Sequence, residues 1–236
     1  MRLILFDCDG TLVDSQHVIV AAMTEAFRRH DLEPPPRRQI LSIVGLSLVE
    51  AVAALLVQQP DAPVEDVAEA YRTAYRDIAA DAAAREPLFP GTRECLAAIA
   101  SRPDTVLGVA TGKSRRGLSR ILEHHDLAGF FVTLQTADDA PSKPHPGMVE
   151  NALAATGAEA HRCVVVGDTV FDVEMAVAAG ASAIGVSWGY HPATALRAAG
   201  TSLVATAFSE VPDLVERAVP SDPRAAGRAT SRREAP

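Results

Sequence analysis

Two carboxylates, spaced i and i+2 and followed by a glycine, end the first apolar run of this chain. Arg2-Leu3-Ile4-Leu5-Phe6 gives way to Asp7-Cys8-Asp9-Gly10-Thr11. Open α/β sheets place ligands just beyond the carboxyl ends of their strands. Two acids at such an end are costly unless something cationic binds between them, which points to metal-assisted chemistry. Three further segments carry polar residues after an apolar run. Val106-Leu107-Gly108-Val109-Ala110 ends in Thr111-Gly112-Lys113; Ser142-Lys143-Pro144-His145-Pro146 lies beyond a third run; Val164-Val165-Val166-Gly167 ends in Asp168, with Asp172 soon after. Each motif alone is common. Their order, each behind its own apolar run, is what carries information.

The elements that would position these residues are short apolar strands: Leu3–Phe6, Val106–Ala110, Val132–Gln135, Val164–Gly167, Ala183–Val186 and Leu203–Ala205. Helical patterns separate them at Thr92–Ala100, Arg115–His125, Gly147–Ala155, Val170–Ala179 and Ser209–Ala218. Continuous apolar strands alternating with helices predict an α/β fold with a parallel sheet covered on both faces. The right-handed crossover rule makes that sheet doubly wound. From Ser15 to Glu86 the rhythm changes to helix-period sequence alone: Val18–His30, Arg37–Val44, Leu48–Gln58 and Val64–Ala84, punctuated by Pro34-Pro35-Pro36 and Pro60. This predicts an all-helical insertion, 15–86, in a core formed by 1–14 and 87–219. A lid over the strand ends is its natural place, with Asp14-Ser15 and the 86–91 segment as hinges; a packed bundle that never moves is the other reading. The 220–236 tail, rich in Arg, Ala and Pro without apolar periodicity, reads as disordered.

Composition narrows the partners. The chain has 236 residues, a net charge of -8 and a pI near 5.3, which argues against a nucleic-acid or anionic-membrane surface. An anionic substrate then needs a local positive site. Three scattered cysteines, Cys8, Cys95 and Cys163, lack metal-ligand spacing and suggest a reducing, cytoplasmic setting. Cys95 and Cys163 read as packing thiols. Cys8, flanked by two acids, is a poor thiolate. The apolar start breaks at Asp7, unlike a signal peptide. The Met175–Trp188 stretch is too short to span a bilayer, which takes roughly 20 residues.

The ordered motifs resemble the haloacid dehalogenase-like superfamily, in its phosphatase branch. Asp7-Cys8-Asp9-Gly10-Thr11 matches its first motif, Thr111 its second, Lys143 its third, and Gly167-Asp168-Thr169-Val170-Phe171-Asp172 its fourth. The resemblance covers residues 1–218. It implies a Rossmann-like core with a helical cap, and the run Gly185-Val186-Ser187-Trp188-Gly189-Tyr190 is similar to the phosphoglycolate phosphatase-like subgroup. The superfamily's dehalogenases lack an acid at the position of Asp9, so Asp9 favours phosphate chemistry. The resemblance implies Mg2+ as cofactor, with Asp7, Asp168 and the backbone carbonyl of Asp9 as ligands and Asp172 holding a ligating water. Two unit charges about 4 Å apart repel by roughly 4 kcal/mol at an effective dielectric of 20, so gathered carboxylates call for such an ion. Magnesium takes one or two carboxylates plus a substrate phosphate and keeps several waters.

The roles that follow are expectations. Asp7 attacks phosphorus and becomes an aspartyl-phosphate. Asp9 protonates the leaving oxygen and then activates water. Thr111 and the Gly112 amide bind phosphate oxygens, Lys143 offsets charge, and the amides of Cys8 and Gly10 add donors. Bland readings stand beside these: Asp172 as a helix cap, Thr111 as the N-cap of the helix near Ser114, and Lys143 as a loop lysine; Lys113, Arg115 and Arg116 read either as substrate contacts or as a solvated helix start. A small phosphorylated metabolite is the expected substrate. Phosphoglycolate leads on subgroup resemblance; pyrophosphate, sugar phosphates and nucleotide monophosphates stay open. Arg37, Arg38, Arg72 and Arg76 are candidates to meet a substrate carboxylate. Two alternatives are a β-phosphoglucomutase-like mutase and a non-catalytic metal-binding relative. Such mutases carry an arginine shortly after the cap glycine, where this chain reads Val44-Gly45-Leu46-Ser47-Leu48-Val49.

Overall fold

A computed structural model describes residues 1–59, 61–80 and 86–221. The chain runs β1 (Arg2–Phe6), α1 (Gln16–Arg28), α2 (Arg37–Leu41), α3 (Leu48–Leu55), α4 (Val64–Ala80), α5 (Thr92–Ala100), β2 (Thr105–Ala110) and α6 (Arg115–His124). It continues β3 (Phe131–Gln135), α7 (Gly147–Thr156), β4 (Cys163–Gly167), α8 (Val170–Ala178), β5 (Ser182–Val186), α9 (Ala193–Ala199), β6 (Leu203–Ala205) and α10 (Val211–Ala218).

The six strands form one parallel sheet in the order β3-β2-β1-β4-β5-β6. Successive strands build outward from β1 to β3, and the chain then crosses back to lay β4 against the other side of β1. That reversal is the switch point beside which such sheets bind ligands. All five residues of β1 are buried. Side-chain alternation divides them between two cores. Ile4 and Phe6 pack with Leu107, Val109, Val164 and Val166 under α5, α6 and α10. Leu3 and Leu5 pack with Cys163, Val165 and the α7 and α8 residues Met148, Val149 and Met175. A strand buried on both faces must read as a continuous apolar run, which is why β1 and β4 stood out in one dimension.

Between β1 and β2 the described residues are helical, with no strand of the sheet. Helices α1–α4 share their own apolar cluster, drawn from Ile19, Met23, Phe27, Ile40, Val52, Leu55 and Val67. Helix α1 starts at Gln16, earlier than expected, and α2 stops at Leu41 rather than Val44. Helix α3 stops at Leu55 rather than Gln58. Chain reversals between packed helices, not loss of apolar residues, set these ends. Helix α9 went unread because only Leu196 of its seven residues is buried, too little to make a periodic signal. Pro60, the expected end of α4 at 81–84 and the tail from 222 onward lie outside the described residues.

All three cysteines are buried and free. Burial and the Asp9 charge push the Cys8 thiol well above its usual range, which disfavours the thiolate that a nucleophile needs. Among the described residues no helix is long and apolar enough to cross a membrane.

Candidate active site

The site begins with the turn that follows β1. The Asp7 amide donates to the Val166 carbonyl at 2.9 Å, tying the end of β1 to the end of β4. The Cys8 carbonyl then accepts from the amides of Leu12 and Val13, at 2.9 and 3.1 Å, and the chain folds back on itself. Gly10 makes this possible. Its φ is +86°, and a Cβ there would meet the Asp168 carboxylate and lie 2.7 Å from the Tyr190 ring. The Gly10 amide, expected to face a phosphate, instead donates to the Val13 carbonyl at 2.9 Å. The reason is local: a turn this tight uses that amide to close itself. Among the described residues no protein acceptor takes the amides of Cys8, Asp9 or Gly112.

The turn brings Asp7 against two acids from the β4 side. One carboxylate oxygen from each of Asp7, Asp168 and Asp172 lies within 4.8 Å of the other two, and all three residues are buried. Asp168 is clamped, accepting from Thr11 Oγ1 at 2.9 Å and the Tyr190 amide at 2.8 Å. Asp172 serves two purposes at once. Its Oδ2 accepts from the amide and hydroxyl of Thr169 in a capping box that opens α8, and its Oδ1 is 2.6 Å from Lys143 Nζ. Capping α8 with one oxygen therefore leaves the other facing Lys143 and the carboxylate cluster. Lys143 is no solvated loop residue. It is 1% exposed, and its ammonium also lies 2.9 Å from Asp7 Oδ1.

Asp7 is the incomplete member. Apart from the Lys143 ammonium beside Oδ1, its buried oxygens have no hydrogen-bond partner among the described residues. Burial, only partly offset by Lys143, raises its pKa from 3.8 to about 7. Burial and then the charges of Asp172 and Asp7 push Asp168 well above the carboxylate range. Burial works against the Lys143 charge, but Asp172 and Asp7 hold the ammonium protonated well above its usual range. Three carboxylates facing one ammonium carry an excess of two negative charges when ionised. Buried carboxylate oxygens met by a single ammonium, in a set of hard ligands short by two positive charges, fit a divalent cation such as magnesium.

The Asp9 carboxylate stands outside this cluster. Its Oδ1 accepts from Ser15 Oγ at 2.6 Å and pairs with Lys113 Nζ at 3.2 Å. Lys113 departs from the solvated reading, because its side chain is 8% exposed and enclosed by Asp9, Tyr75 and Glu86. Its place after β2 suggested a substrate contact or a solvated helix start, not a buried ion pair. Its burial depends on α4, a helix distant in sequence. Arg115 does face away, paired with Asp139. Thr111 does not cap α6, because Ser114 does so by accepting from the Gly117 amide. Thr111 instead sits at the end of β2 with its amide bonded to the Gln135 carbonyl at 3.0 Å.

A cavity of about 1050 Å³ opens over these residues, walled by the core on one side and α1, α3 and α4 on the other. The loop joining α2 to α3 presses directly on Gly112: a Cβ there would meet the Leu46 carbonyl and lie 2.7 Å from that of Gly45. Ser142 Oγ donates no bond there but accepts one, from the Ser47 amide at 2.8 Å. Of the four candidate arginines, Arg72 and Arg76 border the cavity. Arg37 and Arg38 are exposed, and Arg37 contacts Gln16. His191 stitches the two sides elsewhere. Its Nδ1 accepts from the Val170 amide, so Nε2 carries the hydrogen and donates to the Ser42 carbonyl at 3.1 Å.

The chain is 37% identical over 215 residues to probable phosphatase IndB of Dickeya dadantii, covering 89% of this chain and 91% of that protein. It is 33% identical over 220 residues to phosphoglycolate phosphatase of Caulobacter vibrioides, covering 89% and 88%. A hydrolase structure from Pseudomonas syringae superposes with a TM-score of 0.82 at 24% identity, over 93% of this chain and all of that one, and speaks to the fold alone. The family described as haloacid dehalogenase-like hydrolase matches residues 4–186, a span that holds the Asp7 turn, Lys143 and the Asp168 strand end together. On that match and those relatives, this chain belongs to the haloacid dehalogenase-like hydrolases.

Proposed function

We propose that this chain is a magnesium-dependent phosphatase that hydrolyses a small phosphate monoester through an aspartyl-phosphate on Asp7. The observation that carries the reading is a buried Asp7 carboxylate met only by the Lys143 ammonium, next to a separate Asp9 carboxylate held on the cavity side by Ser15 and Lys113. The two acids sit in different environments, and such a division is how one site assigns nucleophile and proton donor. The names of the Dickeya and Caulobacter relatives support phosphate chemistry.

Asp7, Asp168 and the Asp9 carbonyl would hold the metal ion, with Asp172 supporting it through water. When bound, the ion would neutralise carboxylate and phosphoryl charge. The chain's own residues do the rest. Asp7 supplies the attacking oxygen. Lys143 keeps its charge beside that oxygen and the phosphoryl group. Thr111 and the amides of Cys8, Asp9 and Gly112 offer donors to phosphoryl oxygens. Asp9 gives its proton to the departing alkoxide, then takes one from the water that hydrolyses the intermediate. The helical insertion, 15–86, acts as a cap on the core of 1–14 and 87–219 and excludes solvent from this exchange.

The substrate is a small phosphorylated metabolite, phosphoglycolate-like by resemblance of the 185–190 run, with Arg72 and Arg76 at the cavity rim available for a second anionic group. The Gly45–Val49 loop brings no cation to the cavity, which favours hydrolysis over the mutase alternative. The test is phosphate release from a phosphometabolite panel by the purified chain, with Mg2+ or with chelator, alongside Asp7→Asn. Activity that needs Mg2+ and vanishes in Asp7→Asn is the expected result. Undiminished turnover by Asp7→Asn overturns the reading.

A further inference from the structure

Lys113 joins three parts of the molecule that are far apart in sequence. Its ammonium is 3.2 Å from Asp9 Oδ1 in the β1 turn, 2.8 Å from the Tyr75 hydroxyl on α4, and 3.8 Å from Glu86 Oε1 in the segment that returns to the core. The Tyr75 ring also offers its face, with its centroid 4.7 Å from Nζ. The hydrogen bonds have a direction. Tyr75 donates its own proton to Glu86 Oε1, so its oxygen can only accept from Lys113. Glu86 Oε2 is taken by Arg120 on α6. Lys113 and Arg120 thus face Asp9 and Glu86, two cations against two anions, with the cap's tyrosine hydroxyl at the centre.

The consequence falls on Asp9. Ser15 Oγ donates to Oδ1 at 2.6 Å, and the Lys113 ammonium attends the same oxygen. Two cationic or polar donors on one oxygen fix the plane of the carboxyl group. Among the described residues no donor reaches Oδ2, which is left for proton exchange. Lifting the cap would carry Tyr75 off the ammonium and release Lys113 from its place between helix and turn.

We propose that Lys113 is a positioning residue that couples the seating of Tyr75 on the core to the aim of Asp9. The inference rests on the reading of Asp9 as the proton donor. Its effect is selective by chemistry. A leaving group that departs readily as an anion needs little help from a well-aimed acid, whereas a simple alkoxide needs it fully.

The experiment measures kcat/KM with Mg2+ for two aromatic monoesters of similar size. 4-Nitrophenyl phosphate releases an acidic phenol, and benzyl phosphate releases a weakly acidic alcohol. Asp9→Asn should lose on the order of 10³-fold on benzyl phosphate and about tenfold or less on 4-nitrophenyl phosphate, within the range for positioned proton transfer. Lys113→Met should lose on the order of 10²-fold on benzyl phosphate and about 3-fold or less on the nitrophenyl ester. Lys113→Arg should recover part of that loss. Tyr75→Phe keeps the ring and deletes the acceptor; it should show the same split at about tenfold, and add little when combined with Lys113→Met, since both act through one contact. Equal losses on both esters for Lys113→Met, with Asp9→Asn still split, would overturn the proposal and leave the role of Asp9 standing. Equal losses for Asp9→Asn would overturn the underlying reading as well. Should Lys113→Met fail to fold, Tyr75→Phe decides alone: a split supports the coupling and an even loss refutes it.

Discussion

The Lys143 ammonium and the Asp7 Oδ1 atom are 2.9 Å apart, in side chains that are 0% and 1% exposed. The ammonium is the only side-chain cation set against the buried carboxylates of Asp7, Asp168 and Asp172 among the described residues. Breaking a buried ion pair by removing one partner costs about 3–5 kcal/mol, because the other charge stays buried. Lys143→Met is expected to lower stability by about 3 kcal/mol without metal, since proton uptake by the carboxylates relieves part of the cost. Urea unfolding with chelator measures it, and kcat/KM should fall on the order of 10²-fold or more. Unchanged stability would show that Lys143 does not balance this cluster.

Metal removal should have a pH signature. Burial raises the Asp7 pKa from 3.8 to about 7. A raised carboxyl pKa destabilises the ionised form, so the metal-free fold loses stability as pH climbs from the unfolded value through about 7. Below the unfolded value both states are protonated and the penalty is absent. Metal binding demands the ionised form and therefore releases protons. Mg2+ affinity is expected to weaken as pH falls below about 7. Calorimetry in buffers of different ionisation enthalpy would register the protons, and a heat independent of buffer would contradict the expectation. Saturating Mg2+ at about 100 times its Kd should add about 2.7 kcal/mol.

Gly112 tests whether the loop joining α2 to α3 must sit as close as it does. A Cβ at this position runs into the backbone carbonyls of Leu46 and Gly45, groups that cannot rotate away. Gly112→Ala is expected to be relieved by lifting the loop rather than by unfolding the sheet. A misplacement of about 1 Å at a site can cost on the order of 10²-fold, so kcat/KM should drop by about that factor. Thermal melts should shift by only a few degrees, on the order of 1 kcal/mol for a chain of this size. A large fall in melting temperature with kcat/KM intact would contradict this.

At the opposite end of β1, Arg2 is fully buried and holds Asp104 at 3.0 Å, Thr105 Oγ1 at 2.7 Å and the Val219 carbonyl at 3.1 Å. Its partner Glu216 is 41% exposed, so that pair is discounted for solvent screening. Arg2→Met is expected to cost about 3 kcal/mol, mostly from the buried contacts that Asp104, Thr105 and the Val219 carbonyl lose with it. The strand spans roughly 17 Å from Arg2 to the Asp7 turn, so kcat of the folded protein should not change. Denaturant titration paired with kcat at saturating substrate checks both halves.

Much of this was legible in one dimension. The strands β1 through β6 were read within a residue or two, and Asp7, Lys143, Asp168 and Asp172 were named from the way each follows an apolar run. Burial on both faces forces such runs, and their abrupt polar ends mark the sheet edge where a ligand binds. The Gly10 amide was misread because a turn's internal hydrogen bonds depend on backbone angles that residue type only permits. The sealed position of Lys113 was invisible for a different reason. Its partners Asp9, Tyr75 and Glu86 lie in three segments whose approach depends on how α4 packs over the strand ends. Local sequence alone decided that this chain would carry acids and a lysine at the carboxyl edge of a parallel sheet. Only tertiary packing decided which acid faces the buried Lys143 ammonium and which is tied to Lys113 and Ser15, because ion pairing acts across space and is blind to order along the chain.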